Sequence, residues 1–237
     1  MNDRLSEADV KEFYESVDDV WPTNNLWHEV NQKEINRFVK KINFKDDFAI
    51  LNAGSGGNEY GLEQEIINID ISKRHNEHLK HFIQCNIECI PFENDFFDAA
   101  ICVGSVLNYC DAICAIKELS RVIKSGGKLI LEFESSYSYE YMNLAAYKQS
   151  ASLITTSYFN KPHVMWVYSP KYILGLLKCA NFYVKKCRPY HIMSGVAIHT
   201  TKDENKAAKY SCLDILFRHI PVIRWHSGNI LVYCIKQ

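Results

Sequence analysis

Five short runs of apolar residues recur through the middle of the chain and are separated by more polar segments. They are FAILNA (48–53), EIINID (65–70), HFIQCN (81–86), FDAAICV (97–103) and KLILEF (128–133). Such short runs, rich in β-branched or aromatic residues, favour strands that are buried on both faces of a parallel sheet. Two later runs, FYVKKCR (182–188) and NILVYCI (229–235), predict two more strands.

The segment between the fourth and fifth runs has the period of a helix. Its apolar residues recur every three or four positions in DAICAIKELSRVIKSGG, and Gly126-Gly127 falls where a helix C-cap belongs. A strand, a helix and a strand in this order predict a right-handed crossover. The fold class is therefore α/β, with a doubly wound, mostly parallel sheet.

Three more helices are predicted outside this central region. One covers 6–20 with Ser6 as its N-cap, and a second covers 27–42. The third covers 169–182, with Ser169 as its N-cap and a proline in its first turn.

We therefore expect a single domain over 1–237, in four parts. Residues 1–45 form N-terminal cap helices, and 46–134 form the ligand-binding core. Residues 135–168 fit no regular element and form a helical or irregular lid, and 169–237 complete the sheet.

The first predicted strand ends in four residues that include three glycines, Gly54-Ser55-Gly56-Gly57. Glycine is required where φ is positive or where a ligand must approach the backbone. Ligands of open parallel sheets bind beyond the carboxyl ends of the strands. Asp70 ends the second strand, where a carboxylate can accept both hydroxyls of a ribose. The alternatives are a tight structural turn and, for Asp70, a helix N-terminal acid.

Four motifs within 48–134 resemble the class I S-adenosylmethionine-dependent methyltransferases, in particular their broad small-substrate branch. They are ILNAGSGG, NIDIS, CNIECIPFENDFFDAAICVGSVLNY and SRVIKSGGKLILEF. From residue 135 onward the resemblance rests on element order alone. It implies a Rossmann-like sheet of seven strands with the last one antiparallel, and S-adenosyl-L-methionine as the cofactor.

The resemblance also implies roles for residues at the strand ends. Gly54, Ser55 and Gly56 would line the methionine part of the cofactor. Asp70 would hold the ribose, and Ile71 would lie against the adenine.

Further cofactor contacts are implied after the third and fourth strands. Asn86 stands in the place of an acid that accepts from the adenine amino group, and Ile87 is its neighbour. Val103, Gly104 and Ser105 would border the sulfonium.

Two asparagines depart from the family pattern. Asn52 and Asn86 both replace acids, Asn52 the one that helps to hold the cofactor's amino group. An amide oxygen still accepts a hydrogen bond, but it lacks the charge of a carboxylate. The segment 57–65 is also short for the usual helix, and we expect a stunted helix or an irregular turn there.

Four residues are candidate catalytic bases. Methyl transfer depends mainly on positioning, and a base is needed only where the acceptor must lose a proton early. His163 in the lid segment is the first candidate, and His28 in LWHEV is another. Glu134 lies two residues after Glu132 at the end of the fifth strand, so both share one face. Tyr14 is a weaker candidate.

The lid segment is unusually aromatic. Its aromatic residues are Tyr137, Tyr139, Tyr141, Tyr147, Tyr158, Phe159, Trp166 and Tyr168. They predict either the packed core of a helical hairpin or a cover over the acceptor.

A histidine run, His75-x-x-His78-x-x-His81, raises the question of a metal site. Its surroundings are highly polar, as in the solvated helix that follows a second strand. We therefore expect no metal.

Composition and charge argue against several classes of function. The chain has 237 residues and a net charge of −1, so it has no general attraction to nucleic acid or anionic membranes. No apolar run approaches the length of a membrane span, and the acidic start predicts no signal peptide. The nine cysteines form no CxxC pair, and we expect reduced thiols and a cytoplasmic location.

The sequence thus predicts methyl transfer to an oxygen or nitrogen of a small molecule. One alternative is a protein that binds S-adenosylmethionine or S-adenosylhomocysteine without transfer, and another is a protein or tRNA acceptor. An NAD-dependent oxidoreductase is disfavoured because GSGG lacks the GxGxxG spacing. The oligomeric state stays open.

Overall fold

The computed structural model of the chain describes residues 5–158 and 161–237. Its strands are β1 (Ile50–Ala53), β2 (Ile66–Asp70), β3 (Phe82–Gln84), β4 (Phe97–Cys102), β5 (Ile123–Glu134), β6 (Ala151–Tyr158), β7 (Lys161–Tyr168), β8 (Phe182–Tyr190) and β9 (Asn229–Lys236). Its α-helices are α1 (Glu7–Ser16), α2 (Leu26–Val39), α3 (Ala112–Val122), α4 (Pro170–Cys179), α5 (Met193–Thr201), α6 (Glu204–Ala208) and α7 (Asp214–Phe217).

Seven strands form one mixed sheet in the order β3-β2-β1-β4-β5-β9-β8. The pairs among β1 to β5 are parallel, whereas β9 runs antiparallel to both β5 and β8. The prediction of seven strands with the last one antiparallel is confirmed. The order reverses beside β1, so the carboxyl ends of β1 and β4 flank the crevice where such sheets bind ligands.

Both faces of the sheet are covered. On one face, Leu51 of β1 packs in a buried cluster with Leu119 of α3 and Leu177 of α4. On the other face, Ile50 packs in a second cluster with Phe38 of α2. Because neighbouring residues of β1 point to opposite faces, both must be apolar, which explains the unbroken apolar runs of the sequence.

The predicted helix caps at Ser6 and Ser169 are confirmed. The Ser6 hydroxyl accepts from the backbone N–H of Asp9 at 3.2 Å, and the Ser169 hydroxyl accepts from that of Tyr172 at 3.2 Å. Helix α1 ends at Ser16, earlier than predicted.

The glycine pair Gly126-Gly127 lies inside β5 and does not cap α3, which corrects the prediction. Ile123 pairs with Phe97 of β4, but Lys128 pairs with Ala99, so extra residues bulge out of β5 between these pairs. Gly126 has φ +78°, a conformation that such a bulge requires and glycine adopts readily.

The lid segment contains a β-hairpin, where helical or irregular structure was predicted. Strands β6 and β7 pair antiparallel as a separate two-stranded sheet. Along β7, His163, Met165 and Val167 are buried whereas Val164 is exposed, which is the alternation of a half-buried strand. Phe159, one of the aromatic residues of this segment, lies outside the described residues.

The segments on either side of β2 form turns. Residues 57–65 have the irregular turn that the short segment predicted. The polar segment after β2, which was likened to a solvated helix, also forms turns. The reason is local: the Asn76 amide is buried, donates to Ser72 O at 2.8 Å and accepts from Gly57 N at 2.9 Å. This segment therefore supports the glycine turn.

Among the described residues, no helix has both the length and the apolar character that a bilayer crossing requires.

Candidate functional site

Two neighbouring cavities lie at the carboxyl ends of the central strands. The first, which we name the glycine-turn cavity, is lined by Gly54, Gly56 and Asp70. The second, which we name the glutamate cavity, is lined by glutamates of β5 and by residues of the hairpin and the N-terminal helices. The two cavities share walls made by Tyr14, Val20, Trp21, Gly104 and Tyr109.

The glycine turn keeps a positive φ and is closely covered by side chains. Gly54 has φ +72°, and a Cβ built there would lie 2.3 Å from Val106 Cγ2. Gly56 has φ +50°, and its Cβ would lie 3.2 Å from Trp21 Nε1. A side chain at Gly54 would therefore clash with the protein itself before it reached any ligand.

Asp70 joins the tip of β2 to the glycine turn. Its Oδ2 accepts from Gly56 N at 2.9 Å, and its Oδ1 accepts from Ser72 N at 2.9 Å. Burial raises the pKa of Asp70, and the two backbone N–H groups oppose that shift. Each carboxylate oxygen has a second lone pair, so the group can still accept hydrogen bonds from a ligand.

Asn86 brings a carboxylate to the edge of the glycine-turn cavity. Its Oδ1 accepts from Glu88 N at 2.8 Å, and its Nδ2 donates to Glu7 Oε2 at 2.7 Å. Glu7 and Asn86 both line the cavity, as do Ile71 and Ile87. The amide of Asn86 is thus engaged by the protein, and the charge that it lacks is provided by Glu7 of α1.

Two predicted cofactor residues do not line the cavity. Asn52 is fully buried, and its Nδ2 donates to Asn58 O at 2.7 Å and to Asn68 Oδ1 at 2.8 Å. Ser55 is also fully buried and donates to Asn76 Oδ1. Both side chains lie behind the glycine turn, and this position does not support the predicted direct contact with the cofactor.

The turn after β4 links the two cavities. Val103 and Gly104 line the glycine-turn cavity, and Ser105, with φ +62°, lines the glutamate cavity. The Ser105 N–H donates to Glu132 Oε2 at 2.5 Å, and its hydroxyl donates to Glu134 Oε1 at 3.0 Å. Ser105 therefore orients both glutamates at the end of β5.

Glu132 and Glu134 differ in how well they are stabilised. Glu132 also accepts from Asn229 Nδ2 at 2.5 Å and from the Tyr190 hydroxyl at 3.3 Å. Glu134 accepts from the Tyr141 hydroxyl at 3.0 Å. Burial, together with the charge of Glu132, raises the pKa of Glu134 to about 7.

Glu140 and Glu204 also line the glutamate cavity. The Glu204 carboxylate accepts from Asn25 Nδ2 at 2.6 Å. Burial and the charges of Glu134 and Glu204 raise the pKa of Glu140 to about 8, against a smaller opposing effect of Lys202. Within the described part of the chain, neither a lysine nor an arginine lines this cavity.

A hydrogen-bonded chain of three side chains crosses the boundary between the cavities. The Tyr14 hydroxyl hydrogen-bonds to Tyr109, and the Tyr109 hydroxyl lies 2.9 Å from His163 Nε2. Burial lowers the pKa of His163 to about 4, so the imidazole is neutral at pH 7. The structure thus brings the predicted base His163 to the glutamate cavity, which Glu134 also lines.

His28 lines the same cavity, and burial lowers its pKa. The predicted candidates His28, His163 and Glu134 therefore all line the glutamate cavity. Their catalytic roles stay predictions.

The histidine run does not converge on one point. His75 Nε2 lies 3.0 Å from Tyr14 O, His78 Nε2 lies 3.1 Å from Gly57 O, and His81 faces Glu65. Within 5–158 and 161–237, no group of three or more His, Cys, Asp or Glu side chains is placed to hold a metal ion.

Residues 48–131 match the family described as "Methyltransferase domain". An uncharacterized protein of Methanocaldococcus jannaschii is 34% identical over 116 residues, which are 45% of this chain and 50% of that protein. The ubiquinone/menaquinone biosynthesis C-methyltransferase UbiE of Hahella chejuensis is 28% identical over 131 residues, 50% of this chain and 52% of the enzyme. The chain thus matches about half the length of these curated relatives.

Solved structures show the same fold across nearly the whole chain. Geranyl diphosphate C-methyltransferase from Streptomyces coelicolor A3(2), solved with Mg²⁺, geranyl diphosphate and S-adenosyl-L-homocysteine, superimposes with a TM-score of 0.63 at 12% identity, and 98% of each chain is covered. A Thermotoga maritima protein described as a "SAM-dependent methyltransferase, possible histamine N-methyltransferase" gives 0.59 at 16% identity, with 98% of this chain and 97% of that chain covered. At these identities the likeness is one of fold.

Proposed function

Because the chain belongs to the class I S-adenosylmethionine-dependent methyltransferase family, we propose that it transfers a methyl group to a small molecule bound in the glutamate cavity. The observation that carries this proposal is the junction of the two cavities at Tyr14, Trp21, Gly104 and Tyr109. A methyl donor in one cavity and an acceptor in the other would meet at this wall. Orienting two reactants in this way lowers a barrier by about 7–11 kcal/mol.

S-adenosylmethionine is the cofactor of this family, and the glycine-turn cavity fits it in three respects. Asp70 presents lone pairs suited to the hydroxyls of a ribose. The Trp21 indole packs directly on Gly104, where an added Cβ would lie 2.9 Å from it, and so gives the cavity an aromatic wall. Trp21 Nε1 is buried and has no acceptor among the described residues, so it can donate to a polar group of the cofactor.

We assign Glu7 to the adenine end of this cavity. Asn86 occupies the position from which the family accepts the adenine amino group, and it holds the Glu7 carboxylate at 2.7 Å. The apolar side chains of Ile71 and Ile87 supply surfaces for a flat ring. Helix α1 would then contribute a direct contact to the cofactor as well as a cover.

When bound, S-adenosylmethionine supplies an electrophilic methyl group on a sulfonium. The residues of the chain hold the acceptor, exclude water and accept a proton where one must leave. The neutral His163 can accept it through the hydroxyls of Tyr109 and Tyr14. Glu134, whose pKa is raised to about 7, is the second acceptor within the cavity.

The alternatives are a cofactor-binding protein without transfer and a macromolecular acceptor. The proposed acceptor site is a cavity rather than an open surface, which favours a small molecule over a protein side chain or a tRNA base. We retain a cytoplasmic location as part of the proposal because all nine cysteines carry free thiols.

Incubation with S-adenosylmethionine and a fractionated small-metabolite extract tests the proposal. We expect S-adenosylhomocysteine to form in a fraction-dependent manner, with one metabolite gaining the mass of a methylene group. Tight binding of S-adenosylhomocysteine with no turnover on small-molecule, protein or tRNA fractions would favour the binding protein instead.

A further inference from the structure

We infer that the acceptor is a small organic amine, which enters the glutamate cavity as a cation and is methylated on nitrogen. This inference rests on the proposed function and adds the chemical class of the substrate. It is carried by the charges that line the cavity, by one unpartnered carboxylate and by the aromatic walls.

The first observation is the sign of the charge in the cavity. Glu132, Glu134, Glu140 and Glu204 all line it, and the described part of the lining contains no lysine or arginine. Four buried or half-buried carboxylates without a counter-ion are costly, and a cationic ligand would relieve that cost. An anionic acceptor would be repelled by these carboxylates.

The second observation is that the Glu140 carboxylate has no bonding partner among the described residues. Glu132 and Glu134 accept hydrogen bonds from neighbouring side chains, and Glu204 accepts one from Asn25. The Glu140 side chain is half-buried in the cavity wall, and among the described residues its carboxylate has neither a hydrogen bond nor an ion pair. Lys202 influences Glu140 only as a more distant charge. A carboxylate that lines a cavity without a partner in the protein is free to form a charge-assisted hydrogen bond with a cationic ligand.

The third observation is that aromatic faces surround these carboxylates. Tyr14, Trp21, Trp27 and Tyr141 all line the cavity. Aromatic faces attract ammonium groups, and they also exclude water from the reacting nitrogen. The absence of a three-ligand metal cluster from the described residues favours an organic cation over a metal ion as the guest.

The proton balance of the reaction suits this cavity. An alkylammonium must lose one proton to free its lone pair, and the carboxylates of Glu134 and Glu140 can take it because burial raises their pKa values to about 7 and about 8. The nitrogen lone pair then forms the bond to the methyl carbon, and the carbon–sulfur bond breaks with its electron pair left on sulfur. The methylated product leaves as an ammonium ion.

Titration of matched ligands tests the inference. Wild-type protein is saturated with S-adenosylhomocysteine and titrated by calorimetry with 2-phenylethylamine and butylamine. Their neutral counterparts, 2-phenylethanol and 1-butanol, and the anion 3-phenylpropanoate serve as comparisons. We expect at least one amine to bind at least tenfold more tightly than its alcohol, and 3-phenylpropanoate to bind no more tightly than 2-phenylethanol.

Two variants connect this preference to the cavity. Glu140→Gln should lower amine affinity about tenfold while it leaves the affinities for the alcohols and for S-adenosylhomocysteine within twofold. Glu93→Gln, which removes an exposed carboxylate outside the cavity, should change none of them.

The outcomes separate the inference from the proposed function. If S-adenosylhomocysteine does not bind to the wild type, both the proposed function and the amine inference that rests on it are wrong. If S-adenosylhomocysteine binds but neither amine binds more tightly than its alcohol, or Glu140→Gln leaves amine affinity unchanged, only the amine inference is overturned.

Discussion

The Nδ2 group of Asn86 donates a 2.7 Å hydrogen bond to Glu7 Oε2, which ties the loop after β3 to the first turn of α1. The two residues are far apart in sequence and meet at the edge of the glycine-turn cavity. Asn86 lacks the charge that the family pattern places there, and Glu7 restores a carboxylate a few ångströms away. The N-terminal helix thereby contributes a carboxylate to the lining of the glycine-turn cavity.

Glu7→Gln should weaken binding of S-adenosylhomocysteine about fivefold. A hydrogen bond to a charged group exceeds a neutral one by about 1 kcal/mol, which corresponds to about that factor. Isothermal titration measures the change. Glu12→Gln, on the same helix but outside the cavity lining, is the control and should bind as the wild type does. Equal affinities for both variants would remove Glu7 from the cofactor site.

Gly54→Ala should lower the melting temperature of the protein without ligand. Positive φ costs an L-residue about 1–2 kcal/mol, and the added Cβ would also lie 2.3 Å from Val106 Cγ2. The additional substitution Val106→Ala should restore the part of the lost stability that is due to the clash. In Gly175→Ala, within α4, the new Cβ meets nothing within 4 Å, so this control should be stabilised by about 1 kcal/mol. A Gly54→Ala variant as stable as the wild type would contradict this account of the turn.

Trp21→Phe should reduce the affinity for S-adenosylhomocysteine several-fold. The phenyl ring keeps an aromatic contact beside Gly56 and Gly104 but removes the buried indole N–H. Wild-type tryptophan fluorescence should change on ligand addition, and the variant should lose most of that change. Trp225→Phe, outside both cavities, is the matched control. If the fluorescence change persists in Trp21→Phe, the change arises from another tryptophan and the assignment of Trp21 to the cofactor site is wrong.

Stability should fall as the pH rises from 6.5 to 8.5, and Glu140 should contribute to the fall. The pKa of Glu140 is raised to about 8 in the folded state, above the usual 4.5, so its contribution is fully present below pH 4.5 and is lost as the pH rises through 8. The buried His163 and His191, with pKa values lowered to about 4 and about 3, act oppositely but only below pH 6.5.

Glu140→Gln should therefore flatten this pH dependence. One fully titrating group changes the free energy of unfolding by at most about 1.4 kcal/mol per pH unit. Denaturant unfolding at pH 6.5, 7.5 and 8.5 gives the slope, which should be smaller in Glu140→Gln than in the wild type. Identical slopes would show that the Glu140 carboxyl titrates normally. Glu93→Gln is again the control.

The central sheet could be predicted because burial on both faces leaves a signal in the sequence. Every residue of β1 must suit a fully buried place, so Ile50 and Leu51 are both apolar although they face opposite sides. Gly54 and Asp70 could be found for a related reason, since positive φ and a carboxylate at a strand tip restrict the residue type.

The hairpin of β6 and β7 and the second cavity were less accessible to sequence reasoning. The sequence HVMWVY is apolar at almost every position, and the structure buries the polar His163 while it exposes Val164, so no alternation of polar and apolar residues marked this strand. The pairing of Glu7 with Asn86 depends on how α1 packs against the sheet, and no local pattern encodes that. Asn76 was missed for the same reason, because its bond to Gly57 N exists only once the turn after β2 has folded.

Titration of S-adenosylhomocysteine into the wild type and Asp70→Ala tests the central claim most directly. Asp46→Ala, which removes an exposed carboxylate outside both cavities, is the control. We predict equal binding by the wild type and Asp46→Ala, and at least a tenfold rise in the dissociation constant of Asp70→Ala with cooperative melting retained, because hydrogen bonds to a charged group contribute about 1.5–3 kcal/mol each. Absence of binding to the wild type, or equal binding by a folded Asp70→Ala, would contradict the assignment of the glycine-turn cavity to the cofactor.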